Sequence, residues 1–442
     1  MTTRLTYGVW LTLVILFVGT LSLFWASALT SGPYVFGGAV LLIYISRPPK
    51  FFLSPRNIIT AFYILWYCVG VVIGVDRYAD FNFDTEPEVY SYIMLLLGFA
   101  AWYAGMVRGE EKIYKQEVRN ELGLHISADF VFYASYIASI FFAILYVQNS
   151  GGIAHWLSDP GQALLKRGGS GVYVIAFFSS IHLSGFLGGY LYFKEGKRLP
   201  LILSLIAMVV FLPLLGGKGR GSFQFFLIVG NSIINKKTSW RLVLYSSVVV
   251  SAVFAAITFF RSGYKNATAE VMETVALNYF DTYQMLTMVV RDFSLGDKLT
   301  VLLPFNKFKS VIGQADGVIY DMSAWLTSIY FPTLAEQRAA VSAPIEADIY
   351  LSFYFFPGLI FIYFIGLTVG KIFNKATSAL SCSHIYIALT LIMYILSHAR
   401  GGIILWTDLW LFPTLYIAYL LLSPYSMQAI ENHHYSKTFK QK

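Results

Sequence analysis

The stretch RSGYKNATAEVMETVALNYFDTYQMLTMVVRD, residues 261–292, decides how the rest of the chain is read. It opens the one long segment, Arg261 to Ala347, that is not hydrophobic enough to bury itself in lipid. A cation stands at its border, in Phe259-Phe260-Arg261-Ser262-Gly263. Glu270, Thr274, Asn278, Asp281, Gln284, Thr287 and Arg291 recur at steps of three or four residues, which sets all seven on one side of a helix. Met272, Val275, Tyr279, Leu286 and Val290 take the other side, so the spacing predicts one apolar and one hydrogen-bonding face. Pro304, Lys307-Phe308-Lys309, Trp325, Pro332 and Pro344-Ile345-Glu346-Ala347-Asp348 follow, and there apolar sequence resumes. The expectation is a loop held by the other helices over a membrane-embedded cavity.

On either side of that loop the chain is strongly apolar. Of 442 residues, 57% are apolar, 13% charged and 17% aromatic, proportions that exclude an ordinary water-soluble domain. The fold class expected is therefore an all-α polytopic membrane protein. About twelve stretches approach the ~20 residues a bilayer requires. They are 7–26, 30–46, 57–75, 89–106, 129–147, 171–193, 199–216, 222–235, 242–260, 349–370, 383–398 and 402–423. The first is too long for a cleaved leader and runs directly into the second without a small-residue cleavage site. Residues 1–260 would hold nine helices, 261–348 the extracytoplasmic loop, 349–424 the last three helices and 425–442 a cytoplasmic tail. Cys68 and Cys382 offer neither a disulfide framework nor metal spacing.

Basic clusters fall at alternate junctions: Arg47/Lys50/Arg56, Arg108/Lys112/Lys115/Arg119, Lys194/Lys197/Arg198, Lys236/Lys237/Arg241, Lys371/Lys375 and Lys437/Lys440/Lys442. By the positive-inside rule that side is cytoplasmic, with both termini inside. The formal charge of +8 first reflects these loops. The same parity argues that 271–290 does not cross, because one more crossing between Arg241 and Lys371 would put a basic cluster outside. Asp281 near its middle would also cost about 2.5–3.5 kcal/mol at a span centre. An interfacial or re-entrant helix fits better.

The informative charges are those on the disfavoured side. Lys218 and Arg220 lie in Gly216-Gly217-Lys218-Gly219-Arg220-Gly221, Arg400 in His398-Ala399-Arg400-Gly401-Gly402, and Arg261 and Arg291 at borders of the loop. Glycine admits close approach of backbone and ligand. Several cations at the outer mouth of a helical bundle suit an anion of high charge such as a pyrophosphate, each charge-assisted hydrogen bond contributing roughly 1.5–3 kcal/mol. Any one of them alone reads equally as an anchor whose head reaches the interface. Carboxylates beside an interior arginine, here Asp292, Glu346 and Asp348, read as its partners rather than as bases. No nucleotide-binding loop or dinucleotide fingerprint is present, so energy for a reaction would have to arrive with an activated substrate. A lipid-linked sugar diphosphate meets that need.

On these residues the chain resembles the Wzy-type O-antigen and oligosaccharide repeat-unit polymerases. The likeness lies in the span layout, the Gly216–Gly221 turn, the Arg261 border, Val290-Arg291-Asp292-Phe293, the Glu346-Ala347-Asp348-Ile349-Tyr350-Leu351 to Phe355-Phe356-Pro357-Gly358 stretch, and Ala399-Arg400-Gly401. Lys218-Gly219 before Arg220 departs from the family pattern of one residue between the glycines and the arginine. The resemblance implies a glycosyltransferase with a GT-C-like membrane fold in a bacterial inner membrane, its site facing the periplasm. It would use an undecaprenyl-pyrophosphate-linked donor and acceptor, with no metal or other cofactor and no nucleic acid, and a chain-length regulator is an implied partner. Arg220, Arg261, Arg291 and Arg400 would be catalytic, Lys218, Arg220, Arg261 and Arg400 would bind the pyrophosphate, and His398 or Asp281 would serve as base. A lipid-linked oligosaccharide flippase and an O-antigen ligase share the span count and stand as alternatives.

Overall fold

Two fragments, Gly105-Met106-Val107-Arg108-Gly109 and Gly366-Leu367-Thr368-Val369-Gly370, carry the G-x-x-x-G spacing that lets helix backbones touch in a membrane. In the computed structural model they do touch. Isolated positions aside, the structure describes residues 32–49, 54–69, 85–111, 127–158, 171–211, 218–234, 282–306, 322–332, 341–379 and 382–402. Within them the chain is all-α. In order come α1 (Gly32–Ser46), α2 (Pro55–Ile64) with a π-turn (Leu65–Val69), α3 (Thr85–Glu110), α4 (Ala128–Asn149), α5 (Gly152–Ser158), α6 (Gly171–Glu195) and α7 (Arg198–Val210). Then follow α8 (Lys218–Ile234), α9 (Thr282–Asp292), a 3-10 turn (Thr300–Phe305), α10 (Met322–Tyr330), α11 (Ile345–Phe353), α12 (Phe356–Ala379) and α13 (Cys382–Gly401).

Among the described residues, four helices are long and apolar enough to cross a membrane: Pro87–Glu110, Ala128–Asn149, Gly171–Glu195 and Phe356–Ser378. Shorter apolar helices, Gly32–Ser46, Arg198–Val210, Phe223–Ser232 and Cys382–Ile392, fall on four more of the expected stretches. All but isolated positions of 7–26 and 242–260, and all of 402–423 but Gly402, lie outside the described residues.

The chain divides into two units. The first joins Met1–Lys112, Thr268–Phe373 and Leu391–Asp408. Here α3 and α12 lie backbone on backbone. A Cβ at Gly105 would strike Tyr363 O and Leu367 N, and one at Gly109 would strike Leu367 O and Lys371 N. From the other side, Gly366 meets Trp102 O and Gly370 meets Met106 O. Contacts advance in the same direction along both helices, so the pair is parallel.

Around the seam, Phe36, Tyr63, Tyr67, Tyr92, Phe99, Trp102, Leu286, Leu326 and Ile349 build one buried core. Arg56, expected as a loop charge, is instead 7% exposed and ion-paired with Glu110 at 2.6 Å. Its guanidinium also donates to the Arg47 carbonyl at 2.5 Å. Burying that charge is tolerated because Nε and Nη2 both donate to Oε2 of Glu110 while Nη1 is taken up by the Arg47 carbonyl.

Two expectations change. First, α9 is not one-faced. Gln284 and Thr287, from its polar stripe, are buried along with Thr282, Met285, Leu286 and Val289. The polar side is satisfied only in part: Tyr283 donates to the Glu88 carbonyl at 3.2 Å and Thr287 to Ser91 Oγ at 3.3 Å, while Thr282 Oγ1 and Gln284 Oε1 have no hydrogen-bond partner among the described residues. Second, the span expected from 349 begins at Phe356. Tyr354 and Phe355 both adopt left-handed φ, 52° and 61°, and break the helix there. Such residues cost roughly 1–2 kcal/mol each. Burial of Phe355 and its N–H bond to Ile349 O at 3.0 Å offset this.

The second unit holds Ile113–Ala267, Asn374–Thr390 and Leu409–Lys442. It is organised by glycines of α6: Gly185 makes room for Gln224, Gly188 for Ser204, and Gly189 for the Ile228 carbonyl. Gln224 Oε1 in turn accepts from His182 Nδ1, 2.7 Å away, and its Nε2 donates to Ile181 O at 2.8 Å. This fixes α8 one turn beyond Arg220.

Candidate functional site

A buried carboxylate is costly, so a short helix carrying two of them in its first turn points to a site. That helix is α11. Glu346 is 0% and Asp348 2% exposed. Glu346 fills the notch left by the absent side chain of Gly98, where any Cβ would collide with its carboxyl. The Tyr63 hydroxyl donates to Glu346 Oε1. Glu346 Oε2 has no hydrogen-bond partner among the described residues. Gly98 sits at the middle of the Pro87–Glu110 span. At 1.5 Å per residue it lies about 15 Å along the helix from Glu88. The end of the long loop therefore reaches deep into the unit rather than stopping at its rim.

Asp348 faces a different neighbour. Thr300 donates its hydroxyl to Asp348 Oδ1. Asp348 Oδ2 lies 3.0 Å, and Met322 Cε 2.8 Å, from where a Cβ at Gly402 would stand. Gly402, at φ 77°, ends α13 in the left-handed conformation that glycine adopts without penalty. On the same helix end the Ala399 carbonyl, one of the last four left open by helix geometry, accepts from Tyr67 at 3.1 Å. The π-turn aims that tyrosine. The backbone that bears His398 and Arg400 is thus clasped between Tyr67 and α11.

The third contact comes from α9. Tyr350 donates to the Phe293 carbonyl at 2.8 Å, and Gly296 N–H to the Tyr350 carbonyl at 3.0 Å. Arg291 hydrogen-bonds the Asp292 carboxylate through Nε at 2.8 Å and Nη2 at 3.0 Å. Tyr330 donates to the same carboxylate at 2.8 Å. Asp292 is accordingly the arginine partner expected of it. Glu346 is not: its partner is a tyrosine.

Arg291's hydrogen bonds hold the Asp292 carboxyl below the usual carboxylate range; partial burial works the other way, and Tyr330 adds to the lowering. A lowered value means that Asp292 contributes stability above the ordinary carboxylate value of about 4, lost as pH falls below it. In Arg291→Ala the Asp292 titration moves upward, read by carbon NMR of labelled aspartate. An unmoved titration refutes the pairing.

Of the expected site residues, Arg291 alone has a described side chain. Lys218 and Arg220 stand in the first turn of α8, in the second unit, and His398 and Arg400 in the last turns of α13. Their backbone is placed, and their side chains lie outside the described residues, as do Arg261 and Asp281 entirely. Among the described residues no three His, Cys, Asp or Glu side chains converge as a metal would require. The residues that sequence reasoning passed over are Tyr63, Tyr67, Gly98 and Thr300. The one usable signal was glycine at the centre of an apolar span.

No protein-family model, no curated protein and no solved structure matches this chain.

Proposed function

We propose that this all-α membrane protein is a polysaccharide polymerase of the O-antigen type. The growing glycan leaves undecaprenyl pyrophosphate and joins the terminal sugar of a lipid-linked repeat unit at the outer face of a bacterial inner membrane. The acceptor hydroxyl oxygen forms a bond to the anomeric carbon, the bond from that carbon to the pyrophosphate oxygen breaks, and the hydroxyl proton passes to a base.

One observation carries this reading. Three stretches that resemble the polymerases, Val290–Phe293, Glu346–Gly358 and the Ala399–Gly401 helix end, are far apart in sequence yet gather on α11. Their contacts are the Tyr350 bond to Phe293, and Asp348 against the Gly402 turn. A resemblance spread by chance over unrelated positions has no reason to converge in this way. Arg400 and Arg291 supply cations in this unit. Fixed donors facing a leaving diphosphate are the kind of preorganised electrostatics that is often the largest catalytic contribution. His398 is the base of choice here, because it shares the clasped helix end with Arg400. The roles of Lys218, Arg220, Arg261 and Asp281 rest on the sequence.

The test uses the purified full chain in liposomes, given lipid-linked repeat units alone. A ladder of lengthened glycans is the expected product. Substrate crossing the bilayer without growth makes the protein a flippase. Transfer that occurs only when a lipid A core acceptor is added makes it a ligase.

A further inference from the structure

Glu346 combines three properties that the polymerase reading does not use. It is fully enclosed, it sits against the midpoint of a candidate membrane span, and one of its two oxygens has no hydrogen-bond partner among the described residues. We propose that Glu346 is a proton-binding site, occupied in the resting protein, so that the side chain is carried as the neutral acid.

Three observations support this. First, the notch is shaped for a carboxyl rather than for a salt bridge. Gly98 lets Oε1 touch the α3 backbone, and the facing position of α3 brings no charge. Second, the titratable and charged groups around it are few. From α2 the Tyr63 hydroxyl donates to Oε1, and from the π-turn Tyr67 stands behind Tyr63, ring centroids 5.1 Å apart. On α11 itself, Asp348 faces Thr300 and Gly402 instead. No arginine, lysine or histidine among the described residues forms an ion pair with Glu346. Third, the two charge states differ sharply in cost. A buried carboxylate needs several strong donors and here has the Tyr63 hydroxyl and its own backbone N–H, both neutral, and ions at such depth cost several kcal/mol each. A carboxylic acid needs far less. A proton also requires no cavity, so full enclosure does not exclude this ligand as it would exclude a sugar or a metal.

The neutral acid keeps a hydrogen on one oxygen, while the other accepts from Tyr63. Tyr63 has no second acceptor to find if it keeps this bond, which locks α2 to α11. The proposal concerns the resting charge of one group and needs no glycan synthesis to be tested.

The experiment is infrared spectroscopy of the full-length protein in lipid nanodiscs at neutral pH. The wild type is expected to show a protonated-carboxyl carbonyl band that shifts in heavy water. Glu346→Gln should lose that band, and Asp348→Asn should keep it. Tyr63→Phe, which removes the hydroxyl but keeps the ring, should shift the band to higher frequency, and this arm decides the matter if the glutamine variant does not fold. A Glu346→Gln spectrum that loses carboxylate absorption instead overturns the proposal, as does a Tyr63→Phe band that stays in place.

Discussion

Under the proposed polymerase activity, replacing Arg400 with alanine is expected to cut repeat-unit polymerisation by about 10²–10³-fold, the loss typical when one preorganised donor to a developing anion is removed. Ala399 is fully buried, its carbonyl is capped by Tyr67, and Gly402 turns the chain against Asp348 and Met322. Arg400 therefore leaves a helix end that has little freedom to move, and such rigidity gives a charge catalytic rather than merely attractive value. Lysine at 400 keeps the charge but not the forked geometry, so it should recover only part of the rate. The readout is the chain-length ladder made from purified lipid-linked units. Full-length ladders from Arg400→Ala would remove this residue from the mechanism, and the cation-based reading with it.

Leucine at Gly105 gives the largest expected loss of stability. Its side chain has to displace the Tyr363 carbonyl and the Leu367 amide, both backbone, so no rotamer change can relieve it. Overpacking of this kind costs about 1–3 kcal/mol, and more where backbone must separate. The same change at Gly366, facing the Trp102 carbonyl at 2.5 Å, should behave alike. Gly38 is the control. Nothing lies within 4 Å of a Cβ there, and leucine adds up to about 1 kcal/mol of helix propensity. Thermal unfolding in detergent should thus show two strongly destabilised variants and one unharmed. Equal Tm values for all three would mean that the α3–α12 seam is not formed.

What could be read from the sequence was whatever depends on one segment at a time. A bilayer demands ~20 apolar residues, so α3, α4, α6 and α12 announced themselves. Basic loops set only the direction expected for them. What depends on two distant segments was not legible. Tyr63 and Glu346 are 283 positions apart, and no spacing rule links them. Thr287 looked like the wet face of an interfacial helix because its partner, Ser91, lies 196 residues away. Arg56 looked like a topogenic loop charge for the same reason, its partner Glu110 lying on another helix. The left-handed pair Tyr354–Phe355 was hidden differently, since neither residue advertises positive φ and only the surrounding packing holds them there.

The first unit is stitched from three separated pieces of chain, and the two halves of its glycine seam belong to different pieces. During synthesis the groove at Gly105 and Gly109 emerges about 260 residues before Gly366 and Gly370 arrive to fill it, a wait of roughly 13–50 s at 5–20 residues per second. For that interval a bare backbone surface must be covered by lipid, by another helix or by the insertion machinery. A ribosome that stops anywhere in between leaves a half-zipped membrane protein with its most adhesive surface exposed.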